Sequence, residues 1–287
     1  MNALKTTLLL GVLSGLLLFI GEALGGLRGL YVGLAFAVAM NFFSYFFSDK
    51  IALMTYSAQP VTPEQNASVY HRVAPVVRGL AQRMQIPMPK LYLIPEQSPN
   101  AFATGRNPNH ASVAFTAGIL TLMTDDEIEG VVAHELGHVL HRDILTSSVA
   151  ATLATAITFA ARMAFWFGGS RDEEGEGGGM VGGLAMMIMA PLAAMLIQMA
   201  ISRSREYGAD QASAKYTHDP RKLISALKKL EGYSRQIPMA ANPSTAHLFI
   251  IKPFSGRALM QLFSTHPPTA KRIARLEEMA YGKGYHG

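Results

Sequence analysis

The chain has 287 residues, of which 49% are apolar and only 16% charged, with a formal net charge of +5 and no cysteine. A soluble domain carries roughly 25% charged residues, so this composition predicts that part of the chain lies in lipid. Without cysteine, a disulfide framework and thiolate chemistry are excluded, and any metal must be held by His, Asp or Glu.

Four apolar segments predict membrane spans, each needing about 20 mostly apolar residues. The first, Thr6 to Gly21, carries no charge and has Lys5 at one end to snorkel. The same run fits a cleaved signal peptide, although a second apolar segment follows too closely for an ordinary secreted protein. That second span, Gly29 to Ser48, ends in the aromatics favoured at membrane interfaces. Ser147 to Phe167 and Met180 to Ile201 are the third and fourth spans, with buried helices of a soluble domain as their alternative.

Charge between the spans orients them. Asp49 to Thr146 carries seven Lys/Arg and Ser202 to Gly287 fourteen, whereas Gly168 to Gly179 has one Arg against four acids. Basic residues mark the cytoplasmic side. The expected organisation is therefore residues 1–48 as spans one and two and 49–146 as a first cytoplasmic catalytic segment. Residues 147–201 follow as spans three and four with an outer acidic Gly loop, and 202–287 as a second cytoplasmic segment. Both termini lie in the cytoplasm. Most of the positive charge thus has a topological cause, part of it meeting anionic lipid, and nucleic acid is not an expected partner.

In the first cytoplasmic segment, Thr62, Pro63 and Gln65 predict a capping-box helix start with proline at the first helical position. "KLYLI" from Lys90 and "ASVAFT" from Ala111 read as strands, with "GRNPN" turning between extended pieces. A second capping box, T-D-D-E from Thr124, opens the helix that carries "VVAHELGHVLHRD".

On that helix His134 and His138 are four apart, about 40° around the axis and about 6 Å along it, so both imidazoles can share one cation. H-E-x-x-H on a helix is the zincin pattern, two His ligands with a Glu placed to take a proton from water. The alternative is a solvated polar face. A catalytic zinc usually has a third protein ligand. His141 lies about 10 Å from His134 along the axis, too far for the same ion. In "SREYGAD", Glu206 and Asp210 share a helical face. Glu206 as ligand, with Asp210 hydrogen-bonding the far nitrogen of a histidine, is coherent; two ordinary surface acids beside Arg203 and Arg205 are the alternative.

"PNAFATG" from Pro99, "AHELGHVLHRD" from Ala133, "SREYGAD" from Ser204 and "THPPTAKRI" from Thr265, in this order between paired spans, closely resemble the HtpX-type bacterial membrane zinc metalloproteases, relatives of the CAAX prenyl proteases. The resemblance implies a zinc endopeptidase of the inner membrane, with one Zn2+ per chain, that removes damaged or misfolded membrane proteins under stress. It implies His134, His138 and Glu206 as zinc ligands and Glu135 as catalytic base. Asn100 and Ala101 would lie by the strand that aligns substrate, and His266 and Arg272 would face the site and steady the tetrahedral intermediate. "HPP" also reads as a simple helix break. Gly137 and His141 depart from the best-known members. The fold expected is α+β and predominantly helical, four transmembrane helices plus a zincin-like domain with a small sheet. Substrate is expected to add as a strand beside the "ASVAFT" edge. Two rival functions are a membrane-bound holdase with a structural zinc and a narrow-specificity peptidase of lipidated substrates.

Overall fold

The computed structural model describes residues 46–143, 205–236 and 267–282 continuously, with scattered helical positions between 8 and 43. The chain divides into two compact units, residues 1–46 with 145–201 and residues 47–144 with 202–287. Among the described residues no helix is long and apolar enough to cross a membrane. The expected third and fourth spans lie outside the described residues, and only scattered positions of the first two are within them. Those positions in the first unit expose large apolar side chains, among them Leu27, Tyr31, Phe36, Val38 and Phe43.

The second unit is mostly helical around a small mixed sheet. Its elements run α1 (Ser48–Thr55), β1 (Gln59–Pro60), α2 (Ala67–Arg83), β2 (Lys90–Ile94), β3 (Ala101–Thr104), β4 (Ser112–Thr116), α3 (Ala117–Leu122) and α4 (Asp125–Leu140). A helix over residues 205–217, here α5, follows. Then come α6 (Pro220–Gln236) and α7 (Thr269–Tyr281). The strand order is β1-β2-β4-β3, with β2 parallel to β4 and the other pairs antiparallel.

Side chains alternate across a strand, and here both faces of the sheet are covered. Leu91, Ala101, Ala103, Val113 and Phe115 point into the main core with α2, α4 and α6. Ile94, Phe102 and Ala114 point the other way, against Leu53 and Tyr56. Because one register slip would exchange these two sets, the pairing is strongly specified.

Two expectations are corrected. The helix expected at Thr62 begins at Ala67. Thr62 Oγ1 does accept from the Gln65 N–H at 3.0 Å, but it closes a turn, since the Thr62 N–H donates back to the Gln65 carbonyl. Asn66 then adopts left-handed φ 59° and donates its side-chain amide to the Pro60 carbonyl, so helix propagates only after it. The "ASVAFT" strand is not an edge: β4 is flanked by β2 and β3, and β3 is the outer strand. By contrast the Thr124 capping box is complete, with Glu127 Oε2 accepting the Thr124 N–H at 2.8 Å.

Helix α4 is buried along most of its length and packs on β3, α2 and α6. A Cβ on Gly130 would stand 2.6 Å from the Leu223 backbone nitrogen, so only glycine lets α6 approach there. Gly130→Ala should overpack this crossing and destabilise the unit by about 1–3 kcal/mol. Thermal or denaturant unfolding of the variant checks this; a change within error would show that α6 yields freely.

Candidate metal centre

Helix α4 presents His134 and His138 from successive turns, their rings 4.8 Å apart and nearly perpendicular. Helix α5 supplies Glu206 opposite them. His134 Nε2 lies 3.6 Å from Glu206 Oε2, and His138 Nε2 lies 3.6 Å from Glu206 Oε1. One ligand atom from each residue falls within 4.8 Å of the others. Tetrahedral bonds of 2.0–2.1 Å put neighbouring ligand atoms about 3.4 Å apart. The two histidine–glutamate separations are close to that value, and the three residues fit a zinc ion.

The close approach of α4 and α5 is built on small residues. A Cβ on Gly137 would lie 2.9 Å from Ala212 Cβ and 3.1 Å from Ala209 Cα. The departure at Gly137 noted in the sequence thus has a packing cause. Ser213 Oγ adds a hydrogen bond of 2.8 Å to the Gly130 carbonyl across the same interface. His141 caps α4 and lies beside Gly208, apart from the His-His-Glu group.

Asp210, one turn after Glu206, sits 3.0 Å from His134 Nδ1. Arg272 of α7 is 1% exposed and forks onto Asp210, with Nε–Oδ2 2.9 Å and Nη2–Oδ1 2.6 Å. Its Nη1 lies 3.3 Å from Glu206 Oε2. Arg272 therefore holds the two α5 acids together. His138 is matched on its other side: its Nδ1 lies 3.0 Å from Asp143 Oδ2. Reasoning from sequence missed that partner. Its signal was an acid five residues after the second histidine, beyond the helix end, where periodicity says nothing.

Glu135 is buried, and its Oε2 accepts the Ala103 N–H of β3 at 2.9 Å. Burial pushes its carboxyl upward, against the two histidines and the Ala103 bond. Ala101 opens β3 and Asn100 directly precedes it; both are buried, and the Asn100 carbonyl accepts the Thr116 N–H of β4. Antiparallel alternation then directs the backbone groups of Ala101 and Ala103 away from β4, on the Glu135 side. His266 lies outside the described residues.

Charge bears on the fit as well. The acids Glu135, Asp143, Glu206 and Asp210 are buried, with Arg272 buried and Arg205 half-buried among them. The acids outnumber the guanidiniums, an excess of negative charge that a dication offsets. Without metal, a proton on His134 serves in part. Burial and the Arg272 charge push that imidazole down, but hydrogen bonds to Asp210 and Glu206 and the Asp210 charge outweigh them and hold it at about 9.

A helix-borne H-E-x-x-H completed by a glutamate from a second helix defines a zinc metallopeptidase. The family model "Peptidase family M48" matches residues 67–280. The chain is 54% identical over 279 residues to "Protease HtpX homolog" of Desulforapulum autotrophicum, covering 96% of this chain and 89% of the relative. It is 53% identical to the protein of the same name from Syntrophobacter fumaroxidans, covering 96% and 98%. Among solved structures it resembles S. mikatae Ste24p, with TM-score 0.55 and 21% identity, over 93% of this chain and 62% of that one. The chain belongs to peptidase family M48, and its cofactor is zinc. The resemblance to HtpX-type proteases read from the four motifs is borne out.

Zinc bound through His134 Nε2, as its place in the cluster suggests, would displace the proton held there. Because the folded pKa is raised from 6.5 to about 9, the metal-free chain gains stability from that proton below pH 6.5 and loses it as pH rises through 9. Titrating zinc into metal-free protein near pH 7.5, in buffers of differing ionisation enthalpy, should release about one proton from His134. No release would show that His134 is already neutral there.

Proposed function

We propose that the chain is a membrane-anchored zinc endopeptidase that cleaves misfolded or damaged membrane proteins, with His134, His138 and Glu206 as zinc ligands and Glu135 as general base. The observation that carries this is the convergence of the three ligand atoms, with the Glu135 carboxylate held beside them against strand β3. When bound, zinc supplies Lewis acidity for amide hydrolysis. Glu135 takes a proton from the attacking water and passes it to the leaving amine. Asp210 fixes the His134 ring through Nδ1, and Arg272 positions Asp210 and Glu206 rather than acting on substrate itself. His266 remains the proposed partner for the tetrahedral oxyanion.

Substrate is proposed to add as an extended strand beside β3, starting from Ala101 and next to Asn100. Main-chain pairing would make sequence preference loose, as suits clients recognised by being unfolded. The apolar side chains exposed in the first unit support an anchor in lipid. We place residues 1–48 and 147–201 in the inner membrane, and 49–146 and 202–287 with both termini in the cytoplasm, from the distribution of basic residues. The quality-control and stress role rests on the resemblance to HtpX-type enzymes.

Glu135→Gln should lower cleavage of an unfolded casein-like substrate by about 10²–10⁴-fold while zinc per chain stays unchanged. The assay is run on detergent-purified full chain with metal analysis alongside. Cleavage that survives, or zinc lost together with activity, would contradict the assignment of Glu135 as base.

A further inference from the structure

We infer that Asp143 is a second positioning carboxylate of the metal centre, aiming the Nε2 of His138 at the ion and itself anchored by Arg205. The inference rests on His138 being a ligand.

Helix α4 ends at Leu140, just after His138. His141 still donates its N–H to the Gly137 carbonyl and Arg142 its N–H to the Val139 carbonyl. Arg142 then takes left-handed φ 57°, which reverses the chain. Asp143 is thereby returned beneath the last helical turn, 2% exposed, with Oδ2 3.0 Å from His138 Nδ1. A carboxylate only accepts, so Nδ1 must carry the proton and the Nε2 lone pair is left for the metal. His134 is held in the same sense by Asp210. Each histidine thus has its own acid, one from α5 and one from the turn after α4.

Arg205 supplies the anchor. Its Nη1 donates to the Asp143 backbone carbonyl at 2.9 Å, across 62 positions of sequence. Arg205 directly precedes Glu206. One hydrogen bond therefore ties the turn that orients His138 to the start of the helix that presents the third ligand. Asp143 does not touch the reacting atoms; it acts through His138.

The test compares zinc affinity, by chelator competition on the detergent-purified full chain, among wild type, Asp143→Ala, Asp143→Asn and His138→Ala. Melting of each metal-free chain and the visible spectrum of each cobalt-loaded chain are measured alongside. Asp143→Ala should bind zinc about 10–100-fold more weakly, with unchanged metal-free melting and a changed cobalt spectrum. Asp143→Asn, which keeps an acceptor oxygen but loses the charge, should fall between this and wild type. Wild-type zinc affinity in Asp143→Ala would overturn the proposal. If that variant does not fold, Asp143→Asn decides: weaker zinc with normal melting supports it, and wild-type affinity overturns it. His138→Ala separates the two levels. Zinc lost there but kept in Asp143→Ala sinks only this proposal, whereas zinc kept in His138→Ala sinks the ligand assignment beneath it.

Discussion

The metal centre depends on how closely α4 and α5 approach. Two histidines on one helix can share an ion, but a third ligand must come from elsewhere, and a carboxylate reaches only a few ångströms. Gly137 on α4 against Ala209 and Ala212 on α5 removes the side-chain bulk that would otherwise hold the backbones apart. Glu206 then meets both imidazoles at equal distances. Helix α4 is held on its other sides by β3, α2 and α6. The core is thus the rigid mount that a preorganised site requires.

That approach concentrates charge where water is scarce. Buried acids with too few cations would be costly alone, and the chain answers in two ways. Arg272 is committed to Asp210 and Glu206, and its own ionisation is reinforced by them. The remaining deficit is the condition that draws a dication in. The acids that lie against the imidazoles therefore also favour a metal ion between them. Glu135 fits the pattern from the other side: its carboxylate accepts the Ala103 N–H, which ties helix α4 to the outer strand.

Much of this was legible in the sequence because it is local or periodic. H-E-x-x-H and E-x-x-x-D are helical spacings, and the Thr124 capping box marks its own helix. "KLYLI" and "ASVAFT" form the strands expected of them. What escaped depends on other things. Thr62 and Gln65 have the residues of a capping box, but a left-handed Asn66 decides where helix begins, and no spacing rule reports that angle. The outer strand was misassigned because strand order follows long-range pairing rather than sequence order. Asp143 escaped because it lies past the helix end, and only the backbone reversal at Arg142 brings it back. Arg272 was expected to face the site, and it does, against Asp210, Glu206 and His134, partners 62 positions or more away in sequence.

The proposed centre holds one zinc ion by His134 Nε2, His138 Nε2 and a Glu206 carboxylate oxygen. The most direct measurement is a crystal structure of the zinc-loaded full chain with anomalous data collected across the zinc edge. One strong site per chain is expected, bonded to those three atoms at about 2.0–2.2 Å. An ion bound through Nδ1 of either histidine, or a site that leaves Glu206 uncoordinated, would contradict it.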